Sequence, residues 1–129
     1  MELPTALHTP CLNRFTGAWI RRDSTEMEAF VTDDLVVVLR PGSEPVVGKD
    51  TVMHRLGNLW VVQQDVWADW AVISDSDDQC RIIGSAGFTN AAYFTEVAFD
   101  GTITVVFRNG LAAHVDVDVA ASIVPSRES

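Results

Sequence analysis

The chain has 129 residues, 47% of them apolar, which is enough for one hydrophobic core and too little for two. Eighteen Asp and Glu against nine Lys and Arg give a formal charge of -9, and no Lys/Arg run or basic patch occurs. That balance argues against nucleic acid and against anionic membrane surfaces as partners, and it leaves a neutral organic ligand open.

The first ten residues carry neither a positive leader nor an apolar stretch. The longest apolar runs are about five residues, far below a membrane span. A cytoplasmic protein is therefore expected. Cys11 and Cys80 form no CxxC pair and have no His at ligand spacing, so two buried thiols are expected rather than a disulfide or a metal site.

In chain order, Thr9-Pro10 is an N-cap followed by Pro at the first helical position, and Cys11, Leu12, Phe15, Ala18 and Trp19 recur at helical spacing. A helix is predicted over about 10–22. Asp23-Ser-Thr-Glu26 has the form of a capping box, predicting a short helix over about 25–31 that buries Met27 and Phe30. The run Asp33-Asp34-Leu-Val-Val-Val-Leu39 is a strand, Arg40–Pro45 a turn, and Val46-Val47 the start of a return strand. After Gly48-Lys49-Asp50 a third helix places Val52, Met53, Leu56 and Trp60 on one stripe.

From about residue 64 the chain reads as β. Strands are predicted at 66–74, from 80 onward with Gly84 and Gly87 marking a bulge or bend, at 93–99 and at 102–108. Asp100-Gly101 and Asn109-Gly110 are read as hairpin turns. The alternation of residues 111–119 makes the last strand, and 122–129 is a Ser- and charge-bearing tail expected to be flexible. The whole chain, 1–129, is one domain with its core at about 9–121. The class is α+β: about three helices cover one face of a strongly bent, antiparallel or mixed sheet that forms a cone-shaped barrel.

Three segments carry a resemblance to a known superfamily. They are Trp19-Ile-Arg-Arg-Asp23-Ser-Thr-Glu-Met-Glu-Ala-Phe30, Asp33-Asp34-Leu-Val-Val-Val-Leu-Arg-Pro-Gly-Ser-Glu-Pro-Val-Val-Gly48-Lys-Asp50, and Val105-Val-Phe-Arg-Asn-Gly-Leu-Ala-Ala-His-Val-Asp116. Together they resemble the nuclear transport factor 2-like superfamily, with SnoaL-like polyketide cyclases and ketosteroid isomerases as the most similar groups. The resemblance implies a cone fold and, by family habit, a homodimer.

The resemblance also places the family's working positions on this sequence. The isomerase Asp falls at Leu39, followed by Arg40; the oxyanion tyrosine falls at Phe15; the second Asp falls near Thr104. The last-strand Asp of the family's epoxide hydrolases falls at Asp116, but Thr95-Glu-Val-Ala-Phe99 lacks their arginine and its Asp. A polyketide cyclase needs only an acid/base carboxylate in an apolar pocket, which Asp116 or Asp118 with His114 would supply.

His114, Asp116 and Asp118 share one face of the last strand, with Val115, Val117 and Val119 on the other. Two readings stand at even odds. Either the valines enter the core and the ionisable face meets water, or the ionisable face lines the pocket, where burial would raise an Asp toward neutrality. Arg40 is a candidate for an enolate oxygen or a surface partner of Glu44, and Tyr93 for a hydroxyl donor or a packed ring.

Phe15, Trp19, Leu39, Trp60 and Thr104 are the candidate substrate-binding residues. The expected function is cofactor-independent acid/base cyclisation, isomerisation or dehydration of a hydrophobic small molecule of polyketide or terpenoid type. Asp116, Asp118, His114, Arg40 and Tyr93 would be its catalytic groups, and no metal or cofactor is expected. The alternative is a non-catalytic ligand-binding or dimerisation module of the same fold.

Overall fold

The computed structural model describes residues 9–125, without the side chains of 9–12 and Leu59. Cys11 therefore lies outside the described side chains, while Cys80 is fully buried. Helix α1 spans Thr9–Arg21 and is followed at once by α2, Ser24–Glu28. The capping box forms as expected: Asp23 accepts a hydrogen bond from the Glu26 N–H at 3.0 Å, which anchors a helix of five residues. Met27 and Phe30 are buried behind it, and the Arg14 guanidinium lies over the Phe30 ring.

Strand β1, Val31–Val38, turns through 39–45 into the two-residue β2, Val46–Val47. Gly48 adopts φ +98° and donates its N–H to the Leu35 carbonyl, then its own carbonyl accepts from Val52. That φ is one that side-chain-bearing residues rarely adopt, so a glycine opens α3, Lys49–Trp60. The remaining strands are β3 Gln63–Asp75, β4 Gln79–Asn90, β5 Thr95–Arg108 and β6 Leu111–Pro125.

They build one six-stranded sheet in the order β2-β1-β6-β5-β4-β3. Every pair is antiparallel except β1 with β6. The sheet is mixed and open, with β2 and β3 as its edges, so the barrel expected from sequence is not closed.

Two further expectations are corrected by the strand register. Asp100-Gly101 is no hairpin turn: β5 runs through it unbroken, with Gly84, Gly101 and Val119 opposite one another on three adjacent strands. The glycine serves close approach instead. A Cβ on Gly101 would stand 2.3 Å from the Asp118 carbonyl oxygen, and one on Gly84 would stand 2.1 Å from that of Asp69. Strand β4 itself pairs with β5 without a break, and the irregularities fall in its pairing with β3.

The real hairpin turn lies earlier, at residues 91–94, and takes in the first two residues of the stretch read as strand 93–99. Asn90 is the reason: its side-chain oxygen accepts from the N–H groups of Ala92 and Tyr93, and Phe94 takes φ +52°. The Asn109-Gly110 turn does form, with φ +55° and +80°, as type I′ chemistry requires. Strand β6 continues to Pro125, so 122–125, expected in the tail, pairs with 95–98.

The core lies between the helices and one face of the sheet. Ala18, Met27, Val52, Met53 and Trp60 from the helices meet Leu35, Cys80, Ile82, Val105 and Phe107 from the strands. This sets a helix-covered face and an open face for the whole sheet.

Candidate functional site

Register fixes the direction of each side chain. Val115 pairs with the buried Val105, and Val117 with Ile103, so the valine side of β6 looks toward the helices. His114 pairs with Val106, Asp116 with Thr104 and Asp118 with Thr102, and all six belong to the open face. Of the two readings of β6, the valines therefore enter the core.

The inward positions of β4 are Cys80, Ile82, Gly84, Ala86, Phe88 and Asn90. Those of β5 are Val97, Phe99, Gly101, Ile103, Val105 and Phe107, and those of β6 are Ala112, Val115, Val117, Val119, Ala121 and Ile123. Apart from the fully buried Cys80, none is ionisable. Burial grades along this wall. Ile82, Val105 and Phe107 are closed off at the α2–α3 end, whereas Phe88, Val97, Phe99, Ile103, Val117 and Val119 are half-buried and Ile123 is exposed. Phe88 and Phe99 tilt against each other with centroids 6.0 Å apart. An apolar wall thus remains partly uncovered inside the bend of the sheet.

One polar contact borders it. Trp19 Nε1 donates to Gln63 Oε1 at 3.1 Å, tying α1 to the start of β3. Trp19 packs against the core, and Trp60 is 6% exposed within it. Leu39 is half exposed beyond the end of β1, and Phe15 is 36% exposed on α1.

The open face carries its own cluster. His114 Nε2 and Asp116 Oδ1 lie 3.1 Å apart, with side chains 39% and 53% exposed. A shallow cavity of about 270 Å³ beside them is walled by Val38, Pro41, Arg81, Thr102, Thr104, Asp116, Val117 and Asp118. Thr104, expected among substrate-binding residues, belongs here and not with Phe15 and Trp19. Water reaches both members of the His–Asp pair.

The remaining candidates scatter. Arg40 is exposed in the turn after β1, where its carbonyl accepts from the Ser43 hydroxyl at 2.7 Å. Tyr93 is 77% exposed at the 91–94 turn, far from a packed position. His54 is exposed on α3. Among the described residues, no group of three or more His, Cys, Asp or Glu is placed to hold a metal ion. No helix there is long and apolar enough to cross a membrane.

Reasoning on the sequence missed the wall residues Val97, Phe99 and Ile103, and Arg81 on the open face. Their signal was present as alternation along 95–107, but it was cut in two by reading Asp100-Gly101 as a turn.

No family model matches the chain, and no curated protein sequence matches it. Solved structures do match. An epoxide hydrolase/cyclase-like enzyme of pyran ring formation in the polyether salinomycin superposes with a TM-score of 0.77 at 12% identity, covering 91% of this chain and 95% of that one. A steroid delta-isomerase from Pseudomonas aeruginosa gives 0.65 at 17% identity, covering 92% and 84%. A computationally designed 17-OHP binder gives 0.75 at 15% identity, covering 94% and 98%. The chain therefore has the nuclear transport factor 2-like fold, the α+β cone anticipated from its three segments. Its likeness to cyclases, isomerases and a designed binder is a likeness of fold.

Proposed function

We propose that this protein binds a hydrophobic small molecule, of polyketide- or terpenoid-derived kind, against the helix-covered face of its sheet, without an ionised side chain in contact. One observation carries this reading: apart from the fully buried Cys80, no inward position of β4, β5 and β6 is ionisable, while Phe88, Phe99, Ile103, Val117 and Val119 stay half-buried. An apolar, partly open wall with a few polar groups at its border has the lining that small-molecule sites use. The fold tolerates such use, since a designed binder of the same shape exists.

The test is binding of a neutral apolar dye such as Nile red. Phe99→Ala should weaken it about tenfold, the loss of one well-packed ring. Asp116→Asn and His114→Ala should leave the dissociation constant within about twofold. The opposite ranking would place the ligand on the open face and sink the proposal.

A second reading is favoured by the His114–Asp116 pair itself. In it, the 270 Å³ open-face cavity performs acid/base chemistry on a hydrophobic substrate, with Asp116 moving a proton and Arg81 holding an oxygen. It would prevail if Asp116→Asn abolished turnover of a cyclase- or isomerase-type substrate while dye binding persisted.

The open face also supports pairing of two copies. Trp67, Ile73, Ile83 and Val106 are 44%, 51%, 44% and 36% exposed among its polar groups. Burying them against a second copy would take them out of water.

A further inference from the structure

The junction between α3 and β3 concentrates hydrogen-bond donors inside an apolar core. Trp60, the last residue of α3, is 6% exposed, and its indole Nε1–H is buried without a hydrogen-bond partner among the described residues. Three residues on, Gln63 is 5% exposed and accepts from Trp19 at 3.1 Å. An indole can only donate, so the oxygen of the Gln63 carboxamide faces Trp19 and its NH₂ group points elsewhere. The junction therefore gathers N–H groups, with the Gln63 oxygen turned to Trp19.

A buried donor left unmade is rare and costly, so its retention calls for an acceptor that arrives from outside. Water fits poorly. The hydrophobic cluster that holds Trp60 is built of Val, Leu, Ile, Met, Phe, Ala, Cys and Trp, and a trapped water needs about two to four polar partners to stay. A carbonyl oxygen needs only one, and the apolar body that carries it suits those surroundings.

The location agrees. Gln63 pairs with Asn90 on β4, two positions from Phe88, whose ring meets Phe99. Trp19, bonded to Gln63, packs against the cluster that holds Trp60. Gln63 and Trp19 therefore link the Trp60 cluster to the strand that carries the apolar wall.

We propose that Trp60 Nε1–H donates to a carbonyl oxygen on the molecule bound in the cone, which makes the ligand class apolar ketones and related carbonyl compounds rather than hydrocarbons. This rests on the cone-binding reading above. It explains how a site without an ionisable group still selects and orients its ligand: the wall supplies affinity, and one dry hydrogen bond supplies direction. In the unliganded protein the same N–H is a standing cost, so its removal should not destabilise the fold through lost hydrogen bonding.

The experiment uses two probes of matched shape, 2-acetylnaphthalene and 2-isopropenylnaphthalene, which differ in a carbonyl oxygen against a CH₂. The wild-type chain should bind the ketone roughly five- to tenfold more tightly, and Trp60→Phe should bring that ratio to about one while keeping alkene affinity within about twofold. A second readout needs no variant: in ¹⁵N-edited NMR spectra of the wild-type chain, the Trp60 indole N–H should move downfield with the ketone and stay with the alkene. Equal wild-type affinities, or an indole signal that ignores the ketone, would overturn the donor assignment and leave cone binding standing. Binding of neither probe would overturn cone binding, and this inference with it.

Discussion

Asp34 and Arg108 stand 74 residues apart in sequence and meet as an ion pair between the first half of β1 and the end of β5. The guanidinium holds the Asp34 carboxyl below its ordinary value, and in return Arg108 is raised. A carboxylate with a depressed folded value contributes stability above its unfolded value of 3.8, and loses it as pH falls through the lower folded one. Asp34→Asn should therefore lower stability slightly at neutrality, because both groups are largely exposed, and the loss should shrink as pH falls below about 4. Thermal melts at pH 3 and pH 7 would check it; an equal loss at both values would mean that the pair acts by packing. Lys49 has the opposite sign, raised by its bond to Asp33, so its contribution fades only as pH climbs past the ordinary lysine range.

At the scale of the element, the sheet is shaped by two glycines that sequence reading took for punctuation. Gly84 and Gly101 are opposite partners on β4 and β5, and backbone oxygens of the neighbouring strands fill the space where their side chains would be. Backbone cannot move aside as a flexible side chain can. Gly84→Ala should therefore cost about 3 kcal/mol or more, at the upper end for an overpacked site. Gly57→Ala, with nothing within 4 Å of the added carbon, should stabilise α3 by roughly 0.5–1 kcal/mol. Urea titrations of the two variants give both numbers, and a Gly84 variant as stable as wild type would remove the close-approach account.

Most elements were legible because their signals are local: the Asp23 cap, the Val36–Val38 run, the α3 stripe and the Asn109-Gly110 turn each lie within a few residues. The exception is instructive. Asp-Gly is a strong hairpin signal, yet at 100–101 the contacts of three adjacent strands decide the conformation, while Asn90 uses its side chain to make the true turn.

At the scale of the whole molecule, the charge of -9 and the open face pull in opposite directions. Two copies of an acidic chain repel at long range, while Trp67, Ile73, Ile83 and Val106 would gain by leaving water. Screening should tip the balance, so the dimer fraction should rise between 20 mM and 500 mM salt. Ile83→Asp should lower it at both, by sedimentation velocity. A monomer at every salt concentration would leave the open face without that role.

The candidate site was half legible. Period-two alternation by itself fixed that His114, Asp116 and Asp118 share a face and that Val115, Val117 and Val119 share the other, since backbone geometry alone sends successive side chains to opposite sides. A strand is symmetric with respect to its two sides until something covers one of them. That choice was made by elements distant in sequence: Ala18, Met27, Val52 and Met53 bring the helices onto the side of Val105 and Phe107, and the β5–β6 register carries it to Val115. Arg81 likewise reached Asp116 and Asp118 only through the pairing of β4 with β5. The sequence determined the elements, their alternation and the cone class; the tertiary packing decided which face is dry, because burial belongs to contacts between elements and not to any one of them.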